Sequence, residues 1–421
     1  DQILFVVAGF LLLLSPTGLP VSALVAGAFV CAAFGFVLRR ERRRDAESES
    51  GIEDVLEEID APDIESAIRS SSRRDPRALV KVEPITLEIG YRLLPLIDPD
   101  RGGKLLDRLA EVREAIALDL GLVVPAIEVR DRGVIAPCEY TIKLRGEPIG
   151  RWYADPDGLL ATPRRRERAL RELSAARRGP DLGGSPTFWL GESEDLPSSE
   201  HWEFSSPADA VARHLESVLR AHAAEILTRE EVSRMLDSLR EDAPGLVSDV
   251  VPNVVRVSDL QKILQGLLRE GVSIRDLESI LETLGNEREG LGDPEQCVEN
   301  VRKALRRSIC SRLLGSDGKL HVVALDPALE EFLSQSVERR DGAAVLHLDP
   351  RTAESIAERV EEAFTAPRRQ TCRPVILASP RVRPFLRRIV EGHVPDVAVL
   401  SYDEIADEGA IEAHGSISLE P

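Results

Sequence analysis

The sequence predicts a multidomain α/β protein placed after a transmembrane segment: a mixed α+β first domain with a small insert, a helical middle domain and an α/β C-terminal domain. Three observations predict it. Ile3 to Leu38 contains no charged residue, although 30% of the chain is charged. From Pro207 to Ile309 the apolar residues recur at helical spacing. Beyond Lys319 short aliphatic runs alternate with helical patterns, the mark of a layered α/β domain. With 421 residues, the chain has room for about two to four domains of roughly 100–200 residues.

The apolar stretch is too long for one span. A single helix over Ile3 to Leu38 would run ~54 Å, against a hydrocarbon core of ~30 Å. Ser15-Pro16-Thr17-Gly18-Leu19-Pro20 supplies the interruption, because proline removes backbone donors and glycine tolerates a turn. Leu19 to Leu38 is then one full span, preceded by the end of another. Arg39, Arg40, Arg42, Arg43 and Arg44 follow it, and the positive-inside rule places that flank in the cytoplasm. A signal peptide would carry its charge first. Residue 1 is Asp and the single methionine is Met235, so the expectation is a fragment or a processed product.

Asp45 to Glu65 holds ten acids and no base, with Ile52, Val55, Leu56 and Ile59 at helical spacing. It reads as a tether with a short amphipathic helix, or as a disordered solvated spacer. The expected divisions are a transmembrane hairpin and basic flank over 1–44 and an acidic linker over 45–83. A first subdomain over 84–156 with 207–226, an insert over 157–206, a helical subdomain over 227–308 and an α/β subdomain over 309–421 follow.

In the first subdomain, strands are expected at Ile85 to Tyr91, Ile127 to Arg130 and Tyr140 to Arg145, with a helix from Lys104 to Leu120. Around Pro156 to Pro207 periodicity fades. Arg164, Arg165, Arg166, Arg168, Arg171, Arg177 and Arg178 there read as a solvated face rather than a docking patch. Helices follow near 207–226, 228–241, 258–270, 273–285 and 294–312. Thr228 before Glu231, Ser258 before Gln261, and Asp293-Pro294 serve as their start signals. Strands at Leu320 to Leu325, Ala344 to Leu348, Val375 to Leu377 and Val397 to Leu400 alternate with helices at 327–338, 350–364 and 380–391.

Composition and motifs exclude several functions. A net charge of −19 argues against a nucleic-acid partner, which needs a clustered cationic face. Cys31, Cys138, Cys297, Cys310 and Cys372 form no C-x-x-C, which fits a reducing compartment without a disulfide framework or zinc cluster. Gly103-Lys104 and Gly318-Lys319 are each followed by Leu, so neither builds a phosphate loop. Asp98 and Asp100 suggest a calcium loop, but Leu109 stands where its last carboxylate belongs. His214 and His222, two turns apart, read as structural or surface residues, and Glu330 and Glu331 as a solvated face. No catalytic, metal-binding or cofactor-binding residue is predicted.

Several strings together carry a resemblance. The interrupted apolar segment ending in arginines, the acidic linker, Ile85 to Asp98, Leu268 to Leu277, Pro294 to Ile309 and Val399 to Ile405 resemble the type III secretion export-gate family (FlhA/SctV/LcrD-like), in order along the whole chain. Only 157–206 fits poorly. Leu346 to Pro350 and Ser401 to Glu404 look more like the injectisome branch than the flagellar one.

The resemblance implies a multi-pass inner-membrane protein whose cytoplasmic part, after about residue 39, forms a ninefold ring below the export pore. Its implied partners are export chaperones, secreted cargo, other export-apparatus proteins, membrane lipid and further copies of itself. It implies no enzymatic activity. In flagellar members a docking dimple lies between the first two subdomains. Its Asp-Pro-x-Phe-Gly segment aligns loosely with Asp181-Leu182-Gly183-Gly184, and the Thr before a His-Leu pair is Arg213 here. Trp189 matches a nearby aromatic and reads equally as a core residue. Val55, Leu56, Ile59, Ile64 and Ile68 are the implied linker contacts to a neighbouring subunit. The alternatives are a tethered hydrolase, which lacks a nucleophile or metal set, and a membrane-anchored adaptor or signalling module that forms no ring.

Overall fold

The computed structural model describes residues 82–164, 177–182, 185–191, 201–286, 293–340, 343–369, 375–394, 397–406 and 411–418. The architecture below is that of the unit Glu83–Pro421. The apolar segment, the arginine flank and the linker residues Val55, Leu56, Ile59, Ile64 and Ile68 lie outside the described residues. No helix among the described residues is long and apolar enough to cross a membrane.

The fold is mixed α/β. Strands β1 (Ile85–Ile89), β2 (Ile127–Asp131), β3 (Glu139–Leu144) and β4 (Glu147–Tyr153) form one sheet in the order β2-β1-β3-β4. β1 is parallel to β2 and antiparallel to β3. All five β1 residues are buried, as a central strand covered on both faces requires. Its one charge, Glu88, is matched by Lys143 at 2.9 Å and Arg132 at 3.3 Å. After β1 the chain turns into a 3₁₀ segment over Tyr91–Leu96, so the expected strand stops short of Tyr91.

Helix α1 (Leu105–Leu120) buries Leu105, Leu109, Val112, Ile116 and Leu120, one face at 3.6-residue spacing. Gly121 ends it at φ 74°. A Cβ there would lie 2.5 Å from the Arg275 backbone nitrogen, so the close approach itself demands glycine. Helix α2 (Pro207–Ala221) packs on α1. Its cap Ser206 accepts from the Asp209 backbone N–H at 3.2 Å.

The described residues of the insert form strands despite its fading periodicity. Strands β5 (Leu159–Pro163), β6 (Arg177–Arg178), β7 (Phe188–Leu190) and β8 (Trp202–Ser205) form an antiparallel sheet in the order β6-β7-β5-β8. Strands of two to five residues are too short to show alternation. Phe188 and Trp202 meet edge to face at 6.1 Å in a small core of their own.

The middle of the chain holds α3 (Ala223–Ile226), α4 (Arg229–Asp242), α5 (Pro244–Val250), α6 (Val257–Arg269), α7 (Leu277–Asn286), α8 (Pro294–Ala304) and α9 (Arg306–Leu313). Thr228 and Asp293 cap as expected, accepting from Glu231 N at 3.2 Å and Glu295 N at 3.0 Å. Ser258 does not. The cap position of α6 is Arg256, so Ser258 lies inside the first turn. The helix expected from 273 starts at Leu277, because Ile274 donates its backbone N–H to Leu120 O at 2.8 Å and Asp276 accepts from Ser279 N.

In the C-terminal part β9 (Leu320–Leu325), β12 (Val375–Ala378), β13 (Ala398–Ser401) and β14 (Ile411–Ile417) form a parallel sheet, β13-β12-β9-β14. Helices α10 (Pro327–Gln335), α11 (Pro350–Arg369) and α12 (Arg383–Val390) accompany it, and most of their buried residues share one core with the sheet. The strand expected at Ala344 to Leu348 is elsewhere. As β11 (Ala343–Leu346) it pairs antiparallel with β10 (Val337–Arg340) in a separate ribbon, which shortens α10. Glu330 is not merely solvated: its carboxylate accepts from the Ser379 backbone N–H and from the Tyr402 hydroxyl at 3.3 Å.

A buried ionic network joins the helical and C-terminal parts. Arg383 on α12, fully buried, contacts Glu270 at 2.6 Å and also pairs with Glu299 on α8. Arg302 contacts Glu270 at 3.2 Å and lies 2.7 Å from Glu404, without hydrogen-bond alignment of that last pair. Burial opposes ionisation of Glu270, but Arg302 and Arg383 outweigh it and hold this carboxyl below its ordinary value. Glu299, where burial wins, is pushed up.

Candidate functional site

Arg213 stands beside a groove of about 450 Å³ between α1, α2 and β8. Its position follows from helix geometry. Asp209, Arg213 and Glu216 lie four and three residues apart on one face of α2. One residue on, about 100° around the axis, His214 faces inward. Its Nδ1 is hydrogen-bonded to the buried Tyr140 hydroxyl at 2.8 Å, and burial lowers its pKa from 6.5 to about 4. His214 is therefore a neutral anchor that fixes the facing of Arg213. His222 makes a backbone contact to Val218 O at 2.9 Å.

The groove alternates charge around an apolar floor. Arg108 of α1 contacts Asp209 and Glu111, each at 2.6 Å. Ser206 donates its hydroxyl to Asp209 at 2.7 Å. Arg213 donates to Ser205 Oγ at 3.0 Å and approaches Glu203 at 3.5 Å. Val112, Ala115, Phe204 and Ala212 complete the lining. The Arg213 side chain is 37% exposed.

The other three predicted docking residues are not gathered there. Asp181 is exposed and paired with Arg178 at 3.2 Å, just beyond β6. The strand order β6-β7-β5-β8 puts that edge three strand spacings, on the order of 14 Å, from β8, whose Ser205 and Glu203 the Arg213 side chain contacts from α2. Leu182 and Trp189 are buried, at 9% and 4% exposure, and form part of the core. Trp189 lies on β7 opposite Leu160. Neither Leu182 nor Trp189 lines the groove, and neither presents a surface. Of the insert arginines, Arg177 stacks on the Tyr153 ring at 3.4 Å and Arg178 holds Asp181. The residues that sequence reasoning missed are Arg108 and Asp209, whose only advance signal was a charge on the face next to Arg213.

The prediction of no metal ligands meets one exception in the geometry. His321, Glu412 and His414 bring ligand atoms within 4.8 Å of one another. They stand on β9 and β14, 91 and 93 positions apart in the chain, a distance at which no motif scan would join them.

The profile of the FHIPEP family matches residues 1–410. This chain belongs to the FHIPEP family. The flagellar biosynthesis protein FlhA of Bacillus subtilis is 31% identical over 425 residues, covering 99% of this chain and 60% of that protein. The chain thus spans less than two thirds of that relative's length. Among solved structures, Chlamydia pneumoniae CdsV is 27% identical with a TM-score of 0.69, covering 80% of this chain and 98% of its own. The CdsV and CdsO complex matches at 25% identity and the same TM-score, with the same coverage. Nonameric EPEC SctV-C, 21% identical with a TM-score of 0.64 and coverages of 80% and 98%, shares the fold. FHIPEP membership agrees with the export-gate resemblance and with the mixed α/β architecture.

Proposed function

We propose that this chain is the docking end of a protein-export gate in the bacterial inner membrane. Residues after about 39 lie on the cytoplasmic side and assemble with further copies into a ring, nine by family resemblance. The ring receives chaperone–cargo complexes and other export-apparatus proteins and passes cargo to the pore. It binds no nucleic acid and performs no catalysis of its own. Its expected divisions are 84–156 with 207–226, 157–206, 227–308 and 309–421.

The groove at Arg213 is the observation that carries the docking role. It has an apolar floor, a rim of both charge signs, and a partly exposed cation whose partners among the described residues are Ser205 and Glu203. Arg213 contacts the partner's acidic surface directly, Asp181 contacts it from the opposite sheet edge, and Leu182 and Trp189 shape the face between them. A rim built this way discriminates partners by charge complementarity. Many such sites on one ring raise the local concentration of weakly bound cargo below the pore. Val55, Leu56, Ile59, Ile64 and Ile68 of the linker meet the neighbouring subunit, and lipid surrounds the apolar segment.

Titrating export chaperone–cargo complexes against the full chain in detergent tests the docking role, together with secretion by cells carrying Arg213→Ala plus Asp181→Ala. Both affinity and secretion are expected to fall; unchanged values would remove the docking surface. Mass measurements across a concentration series separate a ring from a non-ring adaptor. Which branch's chaperones bind, flagellar or injectisome, settles whether 346–350 and 401–404 mark the injectisome branch.

A further inference from the structure

We propose that His321, Glu412 and His414 form a binding site for a divalent transition metal, zinc by preference, that clips strand β14 to the parallel sheet. Three separate features of the backbone converge on it. Glu412 sits in register with His321 across the β9–β14 ladder. Glu412 and His414 are two residues apart on β14 and so share one face of the strand. Between Ala413 and Ser416 the register shifts, with Gly415 at φ 135° in the irregularity. A bulge of that kind re-aims the side chain beside it, and here it brings His414 Nε2 to 2.7 Å from His321 Nδ1.

The surroundings complete the pattern of a ligated histidine. His321 is buried, and its second ring nitrogen, Nε2, lies 3.2 Å from Asp317 Oδ1. A carboxylate that takes the N–H of a histidine leaves the opposite nitrogen unprotonated and aimed outward, the orientation that metal-binding histidines adopt. Gly315 makes room for this pair: a Cβ there would lie 2.7 Å from Asp317 Oδ1 and 2.9 Å from His321 Nε2. Lys319 holds Glu412 Oε2 at 2.9 Å, which leaves Oε1 for the ion.

Two imidazoles and one carboxylate select the metal. Calcium and magnesium take oxygen ligands, whereas zinc accepts nitrogen and oxygen together with a water as fourth ligand. Two nitrogens on one tetrahedral zinc stand about 3.3 Å apart. The ion therefore enters by replacing the proton shared between the rings and spreading them by roughly half an ångström. Glu412 and His414 are partly exposed, so the ion can reach them from solvent, and its ligands join segments 91 residues apart.

The full chain in detergent, stripped with chelator, is titrated calorimetrically with zinc chloride alone. One zinc per chain is expected, with a rise in unfolding temperature. His414→Ala and Glu412→Gln, on an edge strand where folding tolerates change, should each weaken binding by about tenfold or more, and Asp317→Asn by ~10–100-fold with unchanged stoichiometry. In cobalt-loaded protein the visible absorption of a tetrahedral ion should disappear in His414→Ala. Absence of stoichiometric zinc uptake overturns the site, as does equal affinity in wild type, His414→Ala and Glu412→Gln.

Discussion

Arg383 and Arg213 are the same residue type placed in opposite environments. Arg383 is fully buried between two glutamates at the junction of the helical and C-terminal parts, whereas Arg213 lies at a groove rim with a hydroxyl and one loosely held glutamate. A buried charge deprived of its partner has no solvent to replace it, so the first arrangement locks two layers together. At the rim, water and screening reduce each pair to a fraction of a kcal/mol. The first site thus trades exchangeability for rigidity, and the second leaves its cation partly exposed to water.

The largest effect should come from breaking the lock. Arg383→Ala leaves Glu299 without its cation and Glu270 with Arg302 alone, both mostly shielded from water, and is expected to cost about 3 kcal/mol, measured by denaturant unfolding. A loss within the surface range would mean that the junction is hydrated and that the contrast is false.

Next in size is the anchor behind Arg213. His214 is neutral in the folded state with a pKa of about 4 against an ordinary 6.5. Between these values the unfolded chain takes up a proton that the folded chain refuses, so stability falls as pH drops through that window and levels off below it. The full loss is about 3 kcal/mol. Unfolding midpoints at a series of pH values should show it, and His214→Gln should flatten that part of the profile.

A smaller stability effect and a larger binding effect are expected at the rim. Arg213→Glu should change unfolding free energy by less than about 1 kcal/mol, yet lower chaperone–cargo affinity by roughly tenfold or more, since it reverses the charge offered to the partner. Calorimetry on the same sample reads both. The least effect belongs to Asp181→Ala: exposed and paired only with Arg178 three residues away, it should shift stability by no more than about 0.5 kcal/mol.

Elements with strong local signals were legible before any coordinates. Helix α1 announced itself by its apolar spacing, α4 by Thr228, α8 by Asp293-Pro294, and β9, β12 and β13 by their aliphatic runs. Where the reading failed, a long-range contact had overruled a local one. Ile274 is tied to Leu120, so α7 starts late. β10 takes over what would have been the last turn of α10, and β11 pairs with it instead of joining the parallel sheet. The insert strands were too short to show a period. At the candidate site Arg213 was legible through its resemblance, whereas Arg108, Asp209 and the His321 cluster were not, because their neighbours come from other elements.

By itself the sequence determined the family, the apolar segment with its arginine flank as a reading of charge and hydropathy, and most helices, since each of these depends on residues close together in the chain. Tertiary structure decided which of the predicted docking residues are exposed, that Asp181 lies by β6 while Arg213 on α2 contacts β8 at the far edge of that sheet, that Arg383 is buried among glutamates and Arg213 partly exposed, and that His321, Glu412 and His414 meet between β9 and β14. Those outcomes depend on burial and on strand order. Both arise only when distant segments pack and exclude water, and neither is a property of any short stretch of sequence.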